Sequence, residues 1–114
     1  MSELTEKTAD FLKVLSDQTR LEILELLKNG EKTSKEIQET LKKSQSTISQ
    51  HLKKLNDEDL ITIEERENLN YYTIKYQYIF KILTFVQSFV ITLQREKLRT
   101  LAELNIQDTL KTSR

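Results

Sequence analysis

A chain of 114 residues with one glycine, Gly30, and no proline has few means of turning sharply. Many-stranded β folds depend on Gly, Pro and Asn-Gly turns, so this scarcity points to helices joined by short polar connections. At this length the chain is expected to form one domain, since dividing it would leave each core too small to be stable.

The apolar spacing agrees. Leu4, Phe11, Leu12, Val14 and Leu15 predict a first helix. Ser16 is a candidate N-cap for a second, largely buried helix carrying Leu21, Ile23, Leu24, Leu26 and Leu27, which Asn29-Gly30 should stop. Thr33 followed by Glu36 fits a capping box, opening a short helix with Ile37 and Leu41 inward. After Lys42-Lys43, Ser44 caps another helix with Ile48, Leu52 and Leu55 at i, i+4 and i+7. Two short helices so closely joined match a helix-turn-helix.

Leu60, Ile61 and Ile63 predict a strand, Tyr71 to Ile74 a second, and Glu64 to Asn70 a loop between them, the candidate wing. From Gln77 to Glu103 the pattern is helical again, with Ile79, Leu83, Val86, Val90, Leu93, Leu101 and Leu104 near a heptad spacing. Such a helix is about 40 Å long, and the tail after Asn105 is expected to fray. The expected fold is mainly α with a small β-hairpin: a winged helix-turn-helix with a long terminal dimerisation helix. Residues 1–105 would form the binding and dimerisation domain, and 106–114 a flexible tail.

Net charge is zero, but its distribution is uneven. Between Lys42 and Lys54 stand four lysines and His51 with no acid, whereas Asp57 to Glu67 holds six acids against Arg66 alone. On a helical wheel Ile48, Leu52 and Leu55 fall within about 60° of each other. Ser46, Gln50 and Lys53 point away from that seam, flanked by Ser49 and Lys54, while Gln45 is exposed in the first turn. A merely solvated face would more usually carry Glu and Lys than the hydroxyls Ser44, Ser46, Thr47 and Ser49. Gln can pair bidentately with adenine, and Ser can serve several base edges or a phosphate. Lysines 42, 43, 53 and 54 would neutralise phosphates without reading sequence. The backbone N–H groups of this helix's first turn suit a phosphate oxygen. His51, alone, suits a phosphate contact or a packed flank better than a metal site.

These residues resemble a known family. Leu15-Ser-Asp-Gln-Thr-Arg-Leu-Glu-Ile-Leu24 is similar to the opening motif of the ArsR/SmtB regulators, Ser44 to Leu55 to their recognition helix, and Tyr71-Tyr72-Thr73-Ile74 to the strand after their wing. The resemblance covers roughly residues 10–90. It implies a homodimeric winged helix-turn-helix repressor whose first and last helices form the dimer interface. It also implies DNA contact by Gln45, Ser46, Ser49, Gln50 and His51, and a structural role for Arg20.

Two features depart from that family. Its metal sensors use thiolates on the helix after the second, or Asp/His clusters on the last helix. Here the first position reads Thr33-Ser34-Lys35-Glu36, the chain has no cysteine, and the last helix has no His and no Asp before Asp108. Zn²⁺ and soft metals need three or four such ligands, so metal sensing and thiol redox switching are not expected. The wing reads Glu64-Glu65-Arg66-Glu67-Asn68. Arg66 could enter a minor groove, but the neighbouring carboxylates repel phosphate.

Apolar residues on more than one face of the last helix suggest burial against its own domain and against a partner. Leu4, Phe11, Phe85, Val86, Phe89, Val90, Leu93 and Leu101 are the candidate interface residues. Partners expected are double-stranded DNA and a second copy, with room for an unidentified effector and no cofactor. The apolar run Ile79 to Leu93 carries Lys81 and is short of the roughly 20 residues a membrane span needs. No leader pattern opens the chain, so a cytoplasmic or nucleoid location is expected. Two other functions remain open: a low-specificity architectural DNA binder, favoured by the lysines and opposed by zero net charge, and a winged-helix protein-interaction module, favoured by the acidic 57–67 segment. No nucleophile–base pair or Gly-rich phosphate loop suggests an enzyme.

Overall fold

The computed structural model describes residues 2–112, in two units divided after Gln77. In the first, α1 (Glu3–Leu15), α2 (Gln18–Leu27), α3 (Ser34–Leu41) and α4 (Gln45–Asp57) precede a hairpin of β2 (Ile61–Arg66) and β3 (Leu69–Ile74). A two-residue strand, β1 (Lys32–Thr33), which the sequence pattern does not reveal, pairs antiparallel with β3 and completes a sheet of order β1-β3-β2. The second unit contains α5 (Ile79–Thr112).

Local capping decides most helix ends. Thr33 Oγ1 accepts the Glu36 N–H while Glu36 Oε1 accepts the Thr33 N–H, so the expected capping box forms. Ser44 Oγ accepts from the Thr47 N–H at 3.2 Å and starts α4 as expected. The second helix departs from expectation: Asp17, not Ser16, is its N-cap, its Oδ1 accepting the Arg20 N–H at 3.0 Å. Ser16 instead closes α1, its N–H and hydroxyl both donating to the Lys13 carbonyl. A carboxylate is the stronger acceptor at a helix start, where the dipole favours negative charge. After α2, Gly30 takes φ +132°, a conformation L side chains rarely adopt.

Ile23, Leu24, Ile37, Ile48, Leu55 and Ile61 are essentially inaccessible, so one apolar cluster draws on α2, both helices of the helix-turn-helix and the start of the hairpin. Truncating one of these to alanine would cost about 2–5 kcal/mol. The connection between α3 and α4 is short because Lys42 adopts a left-handed conformation (φ 55°, ψ 47°), and the Lys42 and Lys43 N–H groups both donate to Gln38 O.

The wing is tighter than expected. Residues 64–66 and 69–70, assigned from sequence to a loop, pair in the ladder as Glu64↔Tyr71, Glu65↔Asn70 and Arg66↔Leu69. Only Glu67 and Asn68 form the turn, both at positive φ, as two-residue hairpins with the right twist require. Neither is glycine, which hid the turn.

Within α5, Ile79, Phe80 and Leu83 are buried, and from Thr84 onward the described side chains are exposed. The helix passes the boundary expected at Asn105 and runs unbroken to Thr112; residues 113 and 114 of the predicted tail lie outside the described residues. Among the described residues no helix is long and apolar enough to cross a membrane.

Candidate nucleic-acid interface

The helix expected to read DNA is α4. Its seam, Ile48, Leu52 and Leu55, is at most 2% exposed, which fixes the helix's rotation about its axis. Gln45, Ser46, Ser49, Gln50 and Lys53 are consequently exposed together. Gln45, Ser49 and Gln50 find no side-chain hydrogen-bond partner among the described residues, leaving their donors and acceptors available. Ser44 and Thr47 are more committed. The Ser44 hydroxyl donates to Thr47 Oγ1 at 2.9 Å, and Thr47 is half-buried. Lys42 and Lys43, in the turn before the helix, are exposed.

The other two lysines are not free cations. Lys53 Nζ lies 2.9 Å from Asp57 Oδ2 and Lys54 Nζ lies 3.4 Å from Glu58 Oε1, each one turn along. Both pairs are solvent-exposed and worth little to the fold, so a phosphate can compete for the ammonium groups. It must then approach a carboxylate as well.

His51 is only half-exposed and belongs to a cluster at the flank of α4. Its Nδ1 lies 3.4 Å from an Arg20 terminal nitrogen, and its Nε2 lies 3.8 Å from Asp17 Oδ1. Arg20 Nε also donates to the Val14 carbonyl at 2.7 Å and a terminal nitrogen donates to the Lys13 carbonyl. One guanidinium therefore joins the end of α1 to the middle of α4, in keeping with a structural role. The Arg20 N–H, followed by nearby His51 and Arg20 charge, holds the Asp17 carboxyl below its ordinary value, with burial opposing. The sequence pattern points to Ser16 for this cap and misses Asp17, and the His51 contact, 31 positions away, has no local signal.

The wing arginine is likewise engaged. Arg66 hydrogen-bonds to Glu31, lies 3.9 Å from Glu64 and stacks with its guanidinium carbon 4.0 Å from the centre of the Tyr71 ring. The Glu31 hydrogen bond is the main reason its pKa is raised. Glu64, Glu65 and Glu67 surround it as exposed carboxylates.

Of the candidate dimer residues, Leu4 is 74% exposed and Phe11 is half-buried on α1. On α5, Phe85, Val86, Phe89, Val90, Leu93 and Leu101 are all exposed. Among the described residues no group of three or more His, Cys, Asp or Glu could hold a metal ion, and the chain has no thiolate for a soft metal or arsenic.

Residues 17–62, from the cap of α2 through the helix-turn-helix to the first strand of the wing, match the pattern described as "Bacterial regulatory protein, arsR family". An arsenical resistance operon repressor of Staphylococcus xylosus is 38% identical over 74 residues, 65% of this chain and 71% of that one. The chain belongs to the arsR family. Members of the arsR family are transcriptional regulators, not enzymes, and the winged helix of this chain is a DNA-binding element. An arsenical resistance operon repressor of Bacillus subtilis (strain 168) is 40% identical over 74 residues, 64% of this chain and 70% of that one. The Mycobacterium tuberculosis protein Rv0081 shares the fold, with a TM-score of 0.80 over 86% of this chain and 99% of that one at 22% identity.

Proposed function

We propose that this arsR-family chain is a homodimeric repressor that reads a pseudo-palindromic operator and does not respond to metals. One observation supports the proposal above all: α4 buries its entire apolar seam and presents Gln45, Ser46, Ser49 and Gln50 together, with Gln45, Ser49 and Gln50 unpartnered among the described residues and Ser46 held only by a 3.4 Å contact to the Ser44 hydroxyl. Gln50 and Gln45 are the base readers, Ser46 and Ser49 serve base edges or phosphates, and Lys42, Lys43, Lys53 and Lys54 supply phosphate affinity. Ser44 and Thr47 act through the helix N-terminus, and His51 from the flank. Arg66 reaches DNA only by exchanging Glu31 for it, so its net contribution is small.

Dimerisation is supported by the face of α5 that carries Val86, Phe89, Val90 and Leu93, all exposed. An apolar strip of this kind on a monomer would invite association. A two-fold dimer would set two α4 helices about 34–36 Å apart, in successive major grooves. The relatives repress arsenical resistance operons, but the chemistry such sensing requires is absent here: no cysteine is available and the helix bearing Thr33 to Glu36 has no soft ligand. A DNA-binding role places the protein in the cytoplasm or at the nucleoid.

Selection of bound duplexes from a random library, followed by competition gel shift, tests the proposal. The expected result is an inverted-repeat consensus bound far more tightly than random DNA, unchanged by arsenite, Zn²⁺ or chelator. Equal affinity for random DNA would make it a low-specificity binder, and no binding at low salt would make it a protein-interaction module.

A further inference from the structure

The acidic wing raises a physical question. A winged helix that grips the duplex on one side of α4 needs a backbone anchor elsewhere, since Glu64, Glu65 and Glu67 repel phosphate. The first unit contains a cleft of about 520 Å³ lined from α1, the start of α2 and the C-terminal part of α4, with no wing residue among its lining. Lys7, Lys13, Arg20 and Lys54 line it with Asp10 and Glu58, and with the apolar Val14 and Phe11, the latter also a candidate dimer residue. Four cations and two carboxylates leave it positive in a chain whose net charge is zero.

Lys54 links the cleft to the exposed face of α4. On the α4 wheel Lys54 falls between Gln50, which points outward, and His51, which is bound to Arg20. Arg20 is pinned to the carbonyls of Val14 and Lys13, so its charge stays at the cleft without side-chain ordering on binding. Lys13 has no carboxylate partner among the described residues. Lys7 and Lys54 are held only by exposed pairs, to Glu3 at 3.1 Å and Glu58 at 3.4 Å, which a phosphate can displace.

We infer, building on the DNA-binding role proposed above, that this α1–α4 cleft seats the sugar–phosphate backbone of the DNA strand flanking the major groove that α4 reads. It takes the part the acidic wing cannot. Lys7 and Lys13 of α1 are then DNA contacts that the recognition helix alone does not predict.

The test compares the intact protein with the variant Lys7→Gln/Lys13→Gln, both exposed positions outside the core, on the selected operator and on random duplex across a salt series. Circular dichroism and sedimentation confirm that the variant keeps its fold and assembly. Loss of two phosphate contacts should shallow the log–log salt slope by about two units. It should weaken both DNAs alike and abolish ethylation interference at phosphates outside the α4 half-site. A single Lys13→Glu variant should weaken binding further than Lys13→Gln. An unchanged slope and footprint in the variants, while the parent still binds its operator, would overturn the cleft assignment alone. Failure of the parent to bind any operator would overturn the DNA-reading role instead.

Discussion

Lys53 Nζ sits 2.9 Å from Asp57 Oδ2, one turn further along the recognition helix. The cation best placed for a phosphate is thus partly neutralised by its own helix, and DNA must displace the carboxylate. Asp57→Asn should therefore strengthen binding to specific and random duplexes alike by about 0.2–1 kcal/mol, the usual worth of an exposed pair. The fold should not suffer, because a carboxylate near a helix C-terminus opposes the dipole. Fluorescence anisotropy with both DNAs checks this; weaker binding by the variant would contradict it.

Gln50 should behave differently. With an exposed side chain and no internal partner, it is available for bidentate pairing, so Gln50→Ala should cost about 1–3 kcal/mol on the operator and almost nothing on random DNA. Base preference at one position of each half-site should relax. Equal losses on both DNAs would show that Gln50 does not read bases.

Leu93 is exposed on the same strip of α5 as Val86 and Val90. Placing a charge in a homodimer interface leaves it buried without a partner, so Leu93→Asp should yield a monomer in sedimentation at micromolar concentration. Operator affinity should fall with it, because each half-site is then bound singly. A variant that remains dimeric would move the interface off this strip.

The Asp17 carboxyl is held below its ordinary value of 3.8, chiefly by the Arg20 N–H, with His51 and Arg20 charge adding to it. A lowered carboxylate pKa contributes stability that is present above the unfolded-state value and lost as pH falls through the folded one. Asp17→Asn keeps a good N-cap but removes the charge. The variant should be less stable than the parent near neutrality, and the gap should close as pH drops below about 3.8. Denaturant titrations at several pH values measure it; a gap independent of pH would show that the ionised form gains nothing from the fold.

What was legible in the sequence was local. The seam of Ile48, Leu52 and Leu55 and the caps at Thr33 and Ser44 depend on residues three to seven apart, and each is found where the spacing puts it. Contacts between distant residues were not legible. Arg20 meets His51 across 31 positions and Arg66 meets Glu31 across 35, so nothing in either neighbourhood announces them. The wing is tighter than its sequence suggests because its turn uses Glu67-Asn68 where a tight hairpin usually shows glycine. At Ser16-Asp17 two adjacent residues were both plausible caps, and the choice turned on which oxygen faced the free N–H groups. The continuation of α5 past Asn105 was obscured because that residue favours helix ends, although Ile106 and Leu110 prolong the apolar pattern.

The left-handed Lys42, with two backbone donors converging on Gln38 O, has a thermodynamic consequence. It closes α3 and fixes the direction in which α4 leaves it, so α4 is formed by contacts within the chain before any partner is met. Little ordering entropy remains to be spent on contact, in contrast to basic segments that fold upon their target. Discrimination between operator and random sequence should accordingly reside in how long the complex lasts rather than in how fast it forms.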